Sequence, residues 1–349
     1  MHPNKIIHQD LERIVATDVD WQRFEGKTIL MTGANGFLPA YMVETLLFLI
    51  DSHVVKNLKV LAVVRNKEKA EKRFAHLLDN RQLQFIVQDV CHPIQVSERV
   101  HFIVHAASQA SPKYYGIDPV GTLNANVTGT INLCELARQN PVESFLYFSS
   151  GEVYGRIDES VTDITETDYG YLDPMNVRSC YGEGKRMGEN ICVSYMHQYD
   201  TPVKIVRPAH TYGPGMDLND GRVFADFVRD IVENKDIVMK SDGSASRAFC
   251  YLSDATIAFF KILLDGKNGE AYNMANPMQE VTILELAEKL VSLFPEKQLK
   301  VVRQVRVGDD YLVSSSTHAS LVIKKIQTLN WNPTIDIDEG FRKTILSYE

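Results

Sequence analysis

Lys27-Thr-Ile-Leu-Met-Thr-Gly33-Ala-Asn-Gly36-Phe-Leu-Pro39 is an apolar run that empties into a glycine turn, and an amphipathic pattern follows from about Pro39 to Ile50. Strand, glycine turn and helix start, in that order, set backbone N–H groups and the positive end of a helix against a phosphate. The spacing is G-x-x-G rather than the G-x-G-x-x-G of the simplest dinucleotide fingerprint. Pro39 and Ala40 stand where a third small residue usually lets helix and strand pack closely. Proline is tolerated there, because an N–H in the first helical turn has no partner to lose.

Downstream, the same alternation repeats. Apolar strands are expected at Leu58 to Val64, Leu83 to Gln88, Val100 to His105 and Ser144 to Phe148, with a helix from about Thr122 to Gln139. Strands and helices alternating through short turns predict an α/β fold, a parallel sheet wrapped by helices, with ligands at the carboxyl ends of the strands.

Bulk properties narrow the function. The chain has 349 residues and a formal net charge of −8, which argues against a nucleic-acid surface. Its five cysteines are scattered without a C-x-x-C pair, as expected of buried thiols in a reducing compartment. Asp10, Glu12 and Asp18 do not resemble a signal peptide, and the apolar run Leu46 to Ile50 is too short to cross a bilayer. The expectation is a cytoplasmic protein with no membrane contact.

Chemistry-bearing residues collect at the predicted strand ends. Arg65 closes the second strand, where an acidic residue commonly binds ribose hydroxyls, and taken alone it leans towards NADP. Asp89 and Val90 close the third strand and can meet an adenine. Ala106, Ala107 and Ser108 follow His105 and let backbone approach a dinucleotide; His105 itself is read as a packing residue. Ser149-Ser150-Gly151-Glu152 ends the strand at Phe148, offering hydroxyls and one carboxylate. Tyr181 and Lys185 are four apart, on one face of a predicted helix. A phenol with an ordinary pKa near ~10 is a poor base, and a cation one turn away favours its phenolate.

These pieces resemble the extended short-chain dehydrogenase/reductase family of nucleotide-sugar-modifying enzymes. The likeness rests on Thr32 to Pro39, Asp89-Val90, His105-Ala-Ala-Ser108, Ser149 to Gly155 and Tyr181-x-x-x-Lys185, and covers the chain from about residue 27 onwards. Ala110-Ser-Pro112, Cys180 to Arg186, Tyr212-Gly-Pro-Gly-Met, Asn219 to Val223 and Arg247 to Tyr251 are most similar to UDP-glucuronate decarboxylases.

The resemblance implies a Rossmann-type doubly wound sheet with a smaller C-terminal substrate-binding lobe. It divides the chain into an extension (1–25), a dinucleotide-binding part (26–206, with 253–276 returning to it) and a lobe (207–252 and 277–349). It implies NAD, held by Gly33, Asn35, Gly36, Phe37, Leu38, Arg65, Asp89, Val90, Ala106, Ala107, Ser108, Asn126, Tyr181 and Lys185; Arg65 keeps NADP open. It implies a nucleotide-diphosphate sugar contacted by Ser111, Tyr115, His210, Arg222 and Arg247, with no metal. Tyr181 would take the proton of the sugar 4-hydroxyl as C4 is oxidised, with Lys185 beside it and Ser150 on the 4-oxygen. Glu152 would manage the proton at C5, and Arg247 would meet the sugar carboxylate. A homodimer through the helix after Thr122 and the helix of Tyr181 is implied as well.

Departures from the pattern are specific. Gly151 stands where decarboxylases commonly have serine and 4,6-dehydratases aspartate, and His210 where the family usually has asparagine. A 4-epimerase, a dehydratase of surface-polysaccharide synthesis and a non-catalytic nucleotide-sugar-binding regulator are the other readings. Further expected elements are a helix from Asp254 to Leu264, a returning strand from Ala271, and an amphipathic helix from Thr282 to Phe294. Tyr311 to Ser316 and the Trp331 segment are expected to complete the lobe.

Overall fold

The computed structural model describes residues 2–158, 160–304 and 320–349. Helix α1 (Lys5–Val15) is capped by the Asn4 side chain and precedes β1 (Lys27–Thr32). Then come α2 (Phe37–Asp51), β2 (Leu58–Val64), α3 (Lys67–Arg73), β3 (Leu83–Val87) and β4 (Phe102–His105). The helix expected from Thr122 to Gln139 is two: α4 (Pro119–Asn126) and α5 (Thr128–Gln139), joined at Val127, whose φ of −101° departs from the regular helical value. Next are β5 (Ser144–Phe148), β6 (Asp163–Ile164), α6 (Cys180–Tyr199), β7 (Val203–Pro208) and β8 (His210–Tyr212). The rest comprises α7 (Val223–Val232), β9 (Ile237–Met239), β10 (Ser246–Tyr251), α8 (Leu252–Asp265), β11 (Ala271–Met274), β12 (Glu280–Thr282) and α9 (Ile283–Leu293). After β13 (Val301–Arg303) and β14 (Ser320–Leu321), α10 (Lys324–Gln327) and α11 (Ile337–Leu346) end the chain; Tyr311 to Ser316 lie outside the described residues.

Seven parallel strands form the central sheet in the order β11-β7-β5-β4-β1-β2-β3. Its strands are apolar on both sides, as a sheet covered twice requires. Ile29, Met31, Val60, Ala62, Phe102 and Val104 face one core with α2 and α8. Leu30, Leu61, Ile103, Phe145, Val203 and Ile205 face another, with Leu133 and Cys134 of α5 and Cys192 of α6. The strand order reverses between β1 and β4, and a ligand crevice opens at such a switch point.

Helix α2 differs from its expected amphipathic form. It is buried on nearly every side, from Pro39 to Leu47 without a break, because α1 covers the face turned away from the sheet. The extension is thus part of the core. Asp10 on α1 is fully buried, accepts hydrogen bonds from Tyr41 (3.2 Å) and Tyr251 (2.7 Å), and pairs with Lys343 at 3.2 Å. Burial raises its carboxyl, and those partners pull it back.

A second core gathers Tyr212, Phe224, Phe249, Leu286, Leu290 and Phe341 around the three-stranded sheet β12-β10-β8. Helix α9 begins on a capping box between Thr282 and Glu285, the local signal that starts it where expected. Trp331 and Ile326 depart from the sequence expectation. They pack in the core of the large sheet, and Trp331 Nε1 donates to the Asp254 carbonyl at 2.9 Å.

Candidate functional site

The β1–α2 turn is built for close approach. Gly33 has φ +63°, and a Cβ there would lie 2.8 Å from Ala107 Cα, so the turn and the β4 end pack backbone to backbone. Gly36 is the N-cap of α2, which leaves the first N–H groups of a 15-residue helix facing the crevice. Thr32 joins the two strand ends: its Oγ1 lies 2.7 Å from His105 Nδ1 and accepts from the Ala107 N–H at 3.2 Å. His105 is buried and pushed down to about 3, so it is a neutral packing residue, as expected.

Several buried polar atoms around this cradle lack protein partners among the described residues: Ser108 Oγ, Asn126 Oδ1 and His105 Nε2. Ser108 and Asn126 were singled out from sequence, and their unpaired atoms together with the Gly33 cradle fit a dinucleotide. Asp89 Oδ1 accepts from the Cys91 N–H at 2.8 Å; burial raises its carboxyl, but that bond and Arg65 bring it below its usual value. The lean of Arg65 towards NADP meets an obstacle, since its Nη1 is 4.0 Å from the Asp89 carboxylate, a charge that repels a 2′-phosphate.

A cleft of ≈ 510 Å³ runs from Phe37, Arg65 and Ser108 to Ser111, Lys113 and Arg222. Ser111 donates to the Asp220 carbonyl at 2.5 Å, and Lys113 to the Asn219 carbonyl at 3.2 Å, fastening the cleft's two walls. Arg222 is ion-paired with the buried Asp220 and lies over the Phe224 ring. Asn35 and Leu38 lie in and just beyond the glycine turn, and Val90 is buried against α5.

Tyr181 is outside the lining of this cleft and meets it through Tyr115. The two rings stack at 5.1 Å and 15°, and Tyr115 donates to the Ala110 carbonyl at 3.0 Å. Ser150 caps the short 3₁₀ turn Gly151–Tyr154, accepting from the Glu152 N–H at 3.2 Å, so its own O–H remains available to donate. Lys185 donates to the Phe148 carbonyl at 2.6 Å and sits 5.7 Å from the centre of the Tyr181 ring.

Burial dominates the electrostatics of this corner. Burial pushes Tyr181 up to about 12, while the Ser150 hydroxyl, Arg222 and Arg178 draw it down. Lys185 is itself buried and pushed down to about 7, with Glu189 drawing it back up.

Remote residues close into one electrostatic unit. Burial pushes His210 down to about 3, and Arg247 and Arg222 add to the shift. Burial lowers the Arg247 guanidinium, which Glu152 and Glu280 draw back up. Its Nη1 donates to the Ser246 carbonyl at 2.6 Å, and it forms no ion pair among the described residues.

Two groups escaped the sequence reading. Arg178 Nη2 lies 3.3 Å from Glu152 Oε2, and its place one turn before Tyr181 was the available signal. Arg207, 1% exposed, holds Glu189 through Nε (2.8 Å) and Nη2 (2.6 Å) and donates to Tyr154 OH at 2.9 Å. Ser149 donates to the same Glu189. Glu189 is one turn beyond Lys185, so this clamp sets the α6 face that meets the sheet.

The model of the NAD dependent epimerase/dehydratase family matches residues 29–275. UDP-glucuronic acid decarboxylase 6 of Arabidopsis thaliana is 33% identical over 316 residues, covering 89% of this chain and 86% of that protein. UDP-glucuronic acid decarboxylase 1 of Danio rerio is 32% identical, covering 91% of this chain and 72% of that protein. UDP-glucose 4-epimerase of Thermotoga maritima shares the fold with a TM-score of 0.78 at 22% identity, covering 92% of this chain and 98% of that one. UDP-glucuronic acid 4-epimerase of Bacillus cereus, solved with UDP-glucuronic acid and NAD, gives a TM-score of 0.73 at 22% identity, with 92% and 98% covered. Among the described residues no helix is long and apolar enough to cross a membrane. With its glycine cradle, its Tyr-x-x-x-Lys helix and these relatives, the chain belongs to the NAD dependent epimerase/dehydratase family and is an enzyme whose cofactor is NAD.

Proposed function

We propose that the enzyme decarboxylates a nucleotide-linked glucuronic acid, UDP-glucuronate in first place, by transient oxidation at C4. The observation that carries this reading is Arg247: a half-buried guanidinium without an ion pair among the described residues, electrostatically linked to Glu152. A guanidinium so placed suits a carboxylate, which it can hold through two parallel hydrogen bonds. Relatives 31 to 33% identical are UDP-glucuronic acid decarboxylases, and this supports the same choice.

Gly33, Gly36, Ser108, Asn126 and Lys185 would hold NAD, which when bound supplies a reversible two-electron acceptor and, in its oxidised form, a positive charge. Tyr181 takes the 4-hydroxyl proton, and the free O–H of Ser150 donates to the 4-oxygen. A ketone at C4 makes the C6 carboxylate part of a β-keto acid. The C5–C6 bond breaks, carbon dioxide leaves, and the electron pair moves onto the 4-oxygen, which Ser150 and Tyr181 stabilise. C5 then takes up a proton, the step assigned to Glu152, and C4 is reduced again.

Ser111, Tyr115, Arg222 and His210 are the proposed contacts of the nucleotide sugar. His210 stays neutral at working pH and acts as a hydrogen-bonding group there, the role an asparagine fills in the family pattern. We propose a homodimer as well, since Val120, Leu123, Ile131, Met187 and Val193 leave apolar surface exposed on α4, α5 and α6.

The test is product mass. Incubation with UDP-glucuronate should give a sugar nucleotide lighter by one carbon dioxide, and Tyr181→Phe should lower the rate about 10²–10⁴-fold. Unchanged mass with an inverted C4 would instead identify an epimerase, and loss of water a dehydratase.

A further inference from the structure

Outside the cleft lining, His2, Glu44 and His76 bring one ligand atom each within 4.8 Å of one another. Glu44 belongs to α2. Its side chain is 1% exposed, and neither carboxylate oxygen has a hydrogen-bond partner among the described residues. A buried carboxylate left in this state is strongly disfavoured, so a compensating positive charge belongs beside it.

The neighbours in place do not complete it. Arg73 Nη2 is 3.5 Å from Glu44 Oε1, yet that nitrogen is itself buried without a hydrogen bond among the described residues, so the pair lacks the directed contacts that make such pairs strong. His2 Nε2 is 3.8 Å from the same oxygen. The His2 and His76 rings meet edge-on at 4.2 Å, which brings both imidazoles to the same carboxylate. Two neutral imidazoles and one carboxylate around a divalent ion satisfy all three groups at once.

We propose that His2, Glu44 and His76 form a binding site for a divalent transition metal of zinc type. Two nitrogens and one oxygen are ligands zinc accepts, and a water can take the fourth tetrahedral position. His2 Nδ1 accepts from the Asn4 N–H at 3.0 Å and also lies 3.3 Å from the Asn4 carbonyl oxygen, so the tautomer that a metal on Nε2 requires, protonated at Nδ1, has a backbone acceptor in reach. The three ligands come from the segment before α1, the middle of α2 and the 3₁₀ turn Ala75–Leu77. An ion there fastens the N-terminal extension to the helix that faces the cofactor phosphates. The extension then has a structural task, independent of which sugar the enzyme turns over.

The experiment is zinc titration of the chelator-treated protein by calorimetry, with metal content and Tm measured in parallel. About one Zn²⁺ per chain should bind and raise Tm by several degrees. H2A and H76A should each lose that equivalent and the Tm response while remaining folded by circular dichroism. R73M should keep zinc binding. No zinc uptake by the parent protein, or uptake that survives in both histidine variants, overturns the site. Loss of the zinc response in R73M alone also overturns it, because Glu44 then answers only to Arg73. Turnover of any nucleotide sugar is not part of the readout, so the result stands apart from the proposed reaction.

Discussion

Arg178 Nη2 lies 3.3 Å from Glu152 Oε2, while the same guanidinium covers the Tyr115 ring at 4.8 Å. Tyr115 in turn stacks on Tyr181, so one arginine spans the carboxylate and the aromatic plate that backs the phenol. Glu152 is therefore held in place rather than free to swing.

That arrangement predicts the behaviour of Arg178→Met. The ion pair is partly solvated, so its loss should cost at most about 1 kcal/mol of stability. Turnover should fall about 10-fold or more through kcat, with KM nearly unchanged, because the carboxylate loses its aim. Arg178→Lys should recover part of the rate. Steady-state kinetics beside a urea melt decide it, and a loss of stability with unaltered kcat would reject the positioning role.

Gly33→Ala tests the cradle. A methyl group there meets Ala107 backbone at 2.8 Å and stands on a φ of +63° that disfavours side chains. The expected result is a loss of roughly 1 kcal/mol or more in stability together with weakened NAD binding. Fluorescence titration with the dinucleotide reads the second effect, and parent-like affinity would speak against the cradle.

Lys185 predicts a pH dependence of stability. Burial lowers it from 10.5 to about 7, so the folded chain sheds this proton near pH 7 and the unfolded chain only near its ordinary value. Between the two the unfolded state binds more protons, and stability contributed by this site rises with pH across that window. Lys185→Met removes the slope. Urea unfolding at about pH 7 and about pH 9.5 should show the variant losing ground to the parent by several kcal/mol as pH rises. A difference that stays flat would mean that the lysine keeps its proton in the fold.

Gly151 is the one departure from the family pattern at the strand end, and the backbone does not demand it. A Cβ there would have Pro208 O at 3.7 Å and Leu321 Cδ1 at 3.8 Å, both ordinary contacts. Gly151→Ser should leave stability within about 0.5 kcal/mol and keep decarboxylation running. A collapse in Tm would show that the site is tighter than these contacts imply.

Local chemistry was readable wherever a pattern is short-range. The run from Lys27 to Pro39 announced strand, turn and helix because apolar runs, glycines and a helix start act over a few residues. Tyr181 and Lys185 shared a face because helical spacing alone puts them there. Ile7, Leu11 and Ile14 of α1 recur at helical spacing, but that spacing does not say that α1 buries α2 all round, since a period says which face is apolar and not what will cover it.

Charge partners were not readable in this way. Glu152 and Arg178, Glu189 and Arg207, and the linked set of His210, Arg222 and Arg247 are joined across segments that only the fold brings together.

By itself the sequence determined the type of sheet, the order of its elements, the glycine turn and the Tyr-Lys face, all consequences of spacing along one stretch of chain. Only the tertiary structure decided which ionisable groups are buried and which charges stand beside them. It set Arg222 and Arg178 near enough to draw Tyr181 down against burial, and it left Glu44 without a hydrogen bond among the described residues, beside two histidines and an arginine. Desolvation and Coulomb interaction depend on distance in space, and distance along the chain carries almost no record of it.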